Sequence, residues 1–339
     1  MTKYRIQAFA KKNKGFLQDR LANDAWYYNE RSFPDVELWR RDYPRIIAQY
    51  YDLVTDSYEK NWGRNFHQAC RTQGQSLQTS LAAQQVYLAD HLQPSKGARG
   101  LDVGCGVGGP MSNLARLTGA FITGVNVNAY QVKKGQKYIW EAGLDRQCEL
   151  TVADFLHMPF SSGSFDFAYA FEATCQAPIL LEVYSEVFRV LKGNGLFAMY
   201  EWCMTDKYDP NHPEHHHIKQ VIEASNAIPS LLPQREVDNG LKAAGFEICT
   251  THDRALDGNP FLPWYSFLRG ETRDKHSGRP SFGARAAHTM ERFVELFRPR
   301  PQGASTISSL LARAGQALIE GGRLGIFTPM YFVLARKPV

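Results

Sequence analysis

Leu101-Asp102-Val103-Gly104-Cys105-Gly106-Val107-Gly108-Gly109-Pro110 is the stretch on which the reading of this chain turns. An apolar run at 100–103 leads into it, and an amphipathic segment at 112–117 follows. Glycines at 104, 106 and 108 let the backbone turn sharply and come close to a ligand. The same alternation continues downstream. Apolar runs at 120–126, 148–152, 165–171 and 196–202 are separated by helical patterns at 131–142 and 180–191. That order predicts an α/β fold with a Rossmann-like, doubly wound, mostly parallel sheet.

A dinucleotide suits such a turn, but two details argue against one. The spacing is G-x-G-x-G rather than G-x-G-x-x-G. Asp102 also stands where a pyrophosphate would be repelled. An acid there fits a cationic or amine-bearing ligand, and S-adenosylmethionine (SAM) carries both a sulfonium and an amine. At the end of the second strand, Asn126 can bond ribose hydroxyls. After the third, Asp154 and Phe155 offer a carboxylate and a ring for adenine. The candidate cofactor-binding residues are Asp102, Gly104, Cys105, Gly106, Gly108, Asn126, Asn128, Gln131, Asp154, Phe155 and Glu172.

Outward from this core the chain divides into three. Residues 1–95 read as a helical, aromatic region covering the substrate, with one face formed by Tyr50, Tyr51, Leu53, Val54 and Tyr58 and a second helix at 81–92. Residues 96–205 are the SAM-binding core. Residues 206–339 complete the sheet and the pocket, with helices at 213–225, 234–244, 284–297 and 304–320 and strands at 246–251 and 326–335. The stretch 257–283, with Arg269, Arg273 and Lys275, reads as a long loop or lid. Gly321-Gly322-Arg323 reads as a turn.

The chain has 339 residues, 44% hydrophobic and 22% charged, with a formal net charge of +5. This is globular composition, and the charge is too small for a dedicated nucleic-acid binder. No window approaches the roughly 20 apolar residues of a membrane span. Five cations (Lys3, Arg5, Lys11, Lys12, Lys14) precede the first acid and read as a solvated basic tail, able to graze an anionic membrane. The six cysteines form no C-x-x-C pair and read as reduced thiols of a cytosolic-type compartment. His212, Glu214, His215, His216 and His217 suggest a metal cluster, but 215, 216 and 217 would point apart on a helix, so no metal is expected.

Further blocks narrow the reading: AYQV (129–132), DFLHMPF (154–160), EATCQAP (172–178), YEWCMTDKYD (200–209), PEH (213–215), PWY (263–265) and FTPMYFVLARKP (327–338). With LDVGCGVGGP (101–110), they make the chain resemble the sterol 24-C-methyltransferase family of class I SAM-dependent methyltransferases, from about residue 50 to 338. The resemblance implies a class I fold with a sterol-facing region, and methyl transfer from SAM to an isoprenoid alkene. It also implies a place in the cytoplasm or peripherally at an endoplasmic-reticulum or lipid-droplet membrane. Departures fall on the substrate side. The family's Tyr-Glu-Tyr-Gly-Trp-Gly is Tyr58-Glu59-Lys60-Asn61-Trp62-Gly63, its His-Glu pair is Gln84-Gln85, and the histidine of its EATCHAP block is Gln176. Its Asn-Asn-Asn-acid is Asn126-Val127-Asn128-Ala129, and its Gly-Asp-Gly is Ser225-Asn226-Ala227. A relative acting on another terpenoid or secondary metabolite fits this pattern.

Methylating an alkene leaves a carbocation, which aromatic faces and a nearby carboxylate can steady before a base removes a proton. Aromatic residues interleaved with acids mark the candidates. Glu172 is the first choice as stabiliser or base, with His67 and Glu201 as rivals. Tyr58, Trp62, Phe66, Gln176, Tyr200, Trp264 and Tyr265 are the substrate-lining candidates. The alternative function is O- or N-methylation of a natural product on the same fold, and a third is an idle lipid-binding relative. Expected partners are a small lipophilic substrate and no nucleic acid, with peripheral membrane contact and homo-oligomerisation left open.

Overall fold

The computed structural model describes residues 36–269 and 304–339. The basic tail, the helix expected at 284–297, Arg273, Lys275 and the second half of the expected lid lie outside the described residues. Seven strands form one sheet: β1 (Arg99–Val103), β2 (Phe121–Asn126), β3 (Cys148–Val152), β4 (Phe165–Phe171), β5 (Leu191–Met204), β6 (Glu247–Asp253) and β7 (Phe327–Arg336). Their order is β3-β2-β1-β4-β5-β7-β6. β1 to β5 pair in parallel, and β7 runs antiparallel to both β5 and β6. From β1 the chain moves outward to β2 and β3, then returns to β4 on β1's other side. The strand order reverses there, and the carboxyl ends of β1 and β4 flank the crevice where such sheets bind ligands.

The helices are α1 (Val36–Trp62), α2 (Leu77–Leu92), α3 (Gly109–Thr118), α4 (Ala129–Glu141), α5 (Leu180–Val190), α6 (Pro213–Ser225), α7 (Gln234–Ala243) and α8 (Ala304–Leu324). α5 shows why they pack. Leu180, Val183, Tyr184, Val187 and Val190 fall on one face and all are buried. Each such aliphatic side chain contributes about 1.5–3 kcal/mol. One apolar cluster joins α2, α3 and α4 to one face of the sheet, and another joins α5 and α7 to the opposite face. None of the six cysteines is paired.

Three local expectations change. α1 runs upstream of its expected face and straight through Pro44. Proline removes a helix hydrogen bond and reads as a stop, yet the stripe Tyr43, Ile47, Tyr50 and Val54 is buried on both sides of it. β5 starts at Leu191, earlier than 196, although Lys192-Gly193-Asn194-Gly195 resembles a turn. Bonds from Asn194 N–H to the Lys337 carbonyl (2.9 Å) and from Lys337 N–H to the Gly195 carbonyl (2.9 Å) keep that segment in the sheet. Gly321 and Gly322 lie inside α8 rather than in a turn. A Cβ on Gly322 would come within 2.4 Å of the Tyr265 ring, so the missing side chain admits the Trp264-Tyr265 segment.

Candidate active site

The glycine turn between β1 and α3 forms the floor of the crevice. Gly104, Gly106 and Gly108 have φ of +80°, +53° and +77°, a region that other residues enter at a cost. A Cβ on Gly104 would stand 2.5 Å from that of Ala173, and one on Gly109 would stand 2.0 Å from the Arg64 carbonyl oxygen. The segment after α1 and the residue after Glu172 therefore both close upon this turn. Cys105 turns its thiol into the core against Gly124, where a Cβ would lie 2.7 Å from the sulfur. Asp102 is 2% exposed. Among the described residues its Oδ2 has no hydrogen-bond partner. Burial pushes this carboxyl up to about 7, and the Tyr169 phenol pulls it back in part.

The ends of β2 and β3 carry the next groups. Asn126 Nδ2 donates to Gln131 Oε1 at 2.7 Å and to the Gly106 carbonyl at 3.3 Å, tying the strand end to the turn. Asn128 caps α4 by accepting from the Gln131 N–H at 2.7 Å. Its Nδ2 reaches α1 at the Ala48 carbonyl (2.7 Å) and Asp52 (2.9 Å). Gln131 Nε2 donates to Thr55 at 3.0 Å. Asp154 accepts from the Leu156 N–H at 2.9 Å and from the Tyr43 phenol of α1. Phe155 stacks on Tyr43 with ring centroids 6.2 Å apart. The cofactor-side candidates thus share one end of the sheet, and α1 lies across them.

Glu172 directly follows β4 and adopts φ +54°, a strained conformation for a non-glycine residue. Its Oε1 accepts from the Gln68 N–H at 2.5 Å and its Oε2 from the Trp202 indole N–H at 2.7 Å. Burial pushes its carboxyl up to about 8; the two donors and the Glu201 charge act in opposite directions on top of that. A chain of rings runs alongside. Tyr58 meets Trp62 at 5.4 Å, Phe66 at 5.6 Å and Tyr51 at 6.5 Å, and Trp62 meets Phe267 at 5.4 Å. Burial pushes the Tyr51 and Tyr58 phenols up, and the Glu172 charge adds to it. Tyr51, Tyr58, Trp62, Phe66, Glu172 and Trp202 all keep part of their surface exposed. Tyr51, Phe267 and the Gln68 N–H were not among the sequence candidates; an aromatic-rich helix face pointed to the first, and nothing pointed to a backbone donor.

Other candidates are built into the protein. Glu201 is 1% exposed. Its carboxylate accepts from the Cys175 and Trp202 N–H groups, both at 3.0 Å, and from the Thr174 hydroxyl, pinning the short helical turn Thr174–Gln176. Burial pushes it up to about 7. Gln176 on that turn donates to the Tyr51 phenol and the Asn226 carbonyl, both at 3.2 Å. Tyr200 donates to the Gln84 carbonyl at 3.0 Å and packs between Phe171 and Phe332. Trp264 is buried against Phe327, with Tyr265 edge-on to it at 5.5 Å and under the Arg269 guanidinium. His67 is 2% exposed and lies 4.7 Å from the Phe171 ring. At the start of α6, His212 before the helix and His215 in its first turn stack at 4.3 Å, and among the described residues no group of three or more such side chains is arranged to hold a metal.

Comparison with known proteins places this site in context. Residues 101–199 match a methyltransferase domain model, and residues 279–339 match the sterol methyltransferase C-terminal model. The cycloartenol-C-24-methyltransferase of Arabidopsis thaliana is 42% identical over 300 residues, 88% of this chain and 89% of that protein. The chain belongs to the sterol methyltransferase family. It is a SAM-dependent methyltransferase. A second member, the sterol 24-C-methyltransferase of Saccharomyces cerevisiae, is 37% identical over 342 residues, covering 98% of this chain and 89% of that protein. Among solved structures, geranyl diphosphate C-methyltransferase from Streptomyces coelicolor superimposes with a TM-score of 0.62 at 20% identity, over 88% of this chain and 98% of that one. That last likeness is one of fold. The site suits the family's cofactor: three left-handed glycines, an unsatisfied Asp102 oxygen and polar side chains at the ends of β2 and β3 gather at one crevice.

Proposed function

We propose that this sterol methyltransferase family member methylates an alkene carbon of a sterol or other isoprenoid, with Glu172 as the working carboxylate. SAM supplies the methyl group on a sulfonium, which leaves as a neutral thioether. The residues at the glycine turn would hold it: backbone at Gly104 and Gly106, Asn126 Oδ1 for a ribose hydroxyl, and Asp154 with Phe155 for the adenine. Among the described residues Asn126 bonds through its Nδ2, which leaves Oδ1 to accept.

The alkene's electron pair forms the new carbon–methyl bond, and the neighbouring carbon becomes cationic. Tyr51, Tyr58, Trp62 and Phe66 steady that cation through their ring faces, an attraction worth ~2 kcal/mol or more once water is excluded. Glu172 offsets the charge and accepts a proton from the adjacent carbon, whose C–H electrons form the product alkene. Trp202 and Gln68 aim its two oxygens. Glu201 acts one step back by holding the turn that bears Gln176.

The observation that carries this reading is Glu172 itself. A carboxylate held by two N–H donors in a strained backbone beside partly exposed rings suits a carbocation better than a hydroxyl or amine nucleophile. The test is incubation of purified protein with methyl-labelled SAM and a panel of sterols, prenylated aromatics and terpenoid acids. Label on a side-chain carbon of a sterol or isoprenoid is expected, and label confined to oxygen or nitrogen overturns the proposal.

A water-insoluble substrate must be drawn from lipid. No described helix is long and apolar enough to cross a membrane. Leu256 and Phe261, 80% and 93% exposed in one loop, support brief contact with a lipid surface. Weaker co-sedimentation of the Leu256→Ser, Phe261→Ser double variant with phosphatidylcholine vesicles is the expected result; equal co-sedimentation refutes the contact.

A further inference from the structure

Behind Glu172 runs a chain of hydrogen bonds whose polarity can be worked out atom by atom. His67 Nδ1 lies 2.8 Å from the Gln68 carbonyl oxygen. A carbonyl only accepts, so Nδ1 carries the proton. His67 Nε2 lies 2.8 Å from Gln85 Nε2. Gln85 Oε1 accepts from Asn113 Nδ2 at 2.8 Å, and Gln85 Nε2 also donates to Asn65 Oδ1 at 2.9 Å. One of the two amide hydrogens serves Asn65, and the other is left for His67 Nε2. That nitrogen is therefore an acceptor already in use.

We propose that Gln85 locks His67 as the neutral Nδ1–H tautomer, and that His67 is a positioning residue that steadies Gln68 so its N–H meets Glu172. The inference rests on Glu172 as the working carboxylate. His67 then takes no proton from substrate, because its one basic nitrogen faces the Gln85 amide. Its ring is also enclosed at 2% exposure, and burial pushes it down to about 4, which agrees with a ring that stays neutral. The chain starts on α3, the helix that leaves the glycine turn, and ends at the carboxylate. Cofactor floor and working carboxylate are thereby held to one another.

The test needs no turnover, so its failure is distinct from failure of the methylation reading. In full-length protein with 15N-labelled histidine rings and tryptophan indoles, His67→Asn identifies the His67 signals and Trp202→Phe identifies the Trp202 indole. His67 is expected to show the neutral Nδ1–H pattern unchanged from pH 5.5 to 8.5. The Trp202 N–H reports ionisation of Glu172, with a midpoint near 8. His67→Asn keeps a donor at the Nδ1 position and leaves that midpoint in place. His67→Leu loses the donor, loosens Gln68, and raises the midpoint by about one pH unit. Should the leucine variant not fold, Gln85→Glu decides: a carboxylate there only accepts, so His67 becomes an imidazolium and the midpoint falls. An Nε2–H pattern in the native protein, titration of His67 between pH 5.5 and 8.5, or a midpoint unmoved by His67→Leu or Gln85→Glu overturns the proposal.

Discussion

Trp202 donates its indole N–H to Glu172 Oε2 at 2.7 Å, joining the carboxyl ends of neighbouring strands β5 and β4. The bond favours the ionised carboxyl, and burial opposes it. Burial wins, which places the carboxyl near 8 and makes the site responsive to pH in the range where enzymes are assayed.

The first consequence concerns Glu172→Gln. The amide keeps the shape and still accepts from one N–H, but it neither takes a proton nor offsets a cation. Turnover is expected to fall by about 10²–10⁴-fold, the usual contribution of a positioned acid or base. SAM affinity, measured by calorimetry, should stay within a few-fold. Unchanged turnover would remove Glu172 from the chemistry.

The second concerns pH. In the proposed role of Glu172 the working form is the carboxylate, and it fills as pH rises through about 8 in the free protein. kcat/KM should therefore climb across that region and level off above it. Trp202→Phe deletes a donor to the charged form, so the rise should move to higher pH. A profile that falls with pH, or one that does not shift in the variant, contradicts this assignment.

Why some of this was legible and some was not follows from what a sequence records. The glycine turn, the alternation of strands and helices and the place of Glu172 at a strand end were readable because each couples a residue type to a place: left-handed glycines after a strand, an acid at a strand end amid aromatics. The grip of Gln68 on Glu172 was hidden, since a backbone N–H has no residue type. Gln85 stood out only as a departure from the family's His-Glu pair, and its meaning depends on Asn65, His67 and Asn113, which only the fold brings together. Pro44 misled in the other direction. Its local veto on helix was outweighed by apolar residues on both sides of it that α1 buries, Tyr43 and Ile47 against Val127, Phe155 and Leu156 beyond the ends of β2 and β3.

The third prediction is one of stability. Burial holds the native His67 ring at about 4, against the ordinary 6.5. Between those values the unfolded chain binds a proton that the native protein refuses, so stability declines as pH falls from 6.5 toward 4. The loss from this ring approaches about 3 kcal/mol at the lower limit. His67→Asn has no such proton to refuse. The gap in urea midpoint between native protein and variant should therefore narrow from pH 7 to pH 4.5; a constant gap would show that the ring is protonated in the folded state.

The fourth concerns the rings. Tyr58→Phe keeps the face and loses only the hydroxyl contact with Tyr50 at 2.8 Å, so turnover should change by a few-fold at most. Tyr58→Leu keeps bulk but loses the face. If a cation forms beside it, removing about 2 kcal/mol of attraction costs about 30-fold in kcat. Equal rates for the phenylalanine and leucine variants would show that Tyr58 only packs.

The last concerns the floor of the crevice. Gly104→Ala sets a Cβ 2.5 Å from that of Ala173 in a backbone at φ +80°. Two costs then coincide. The left-handed conformation alone costs about 1–2 kcal/mol for a residue with a Cβ. The clash must also push the turn away from Ala173, the residue joined to Glu172, and so it displaces the proposed cofactor floor and the proposed working carboxylate together. Gly143→Ala separates the two costs, because Gly143 has φ +66° with no described residue within 4 Å of its would-be Cβ. Both variants should melt a few degrees lower than the native protein. Only Gly104→Ala should weaken SAM binding, by at least about tenfold, or about 1.4 kcal/mol. Equal SAM affinity in both would mean that the turn does not hold the cofactor, since the clash would then have displaced nothing that binds it.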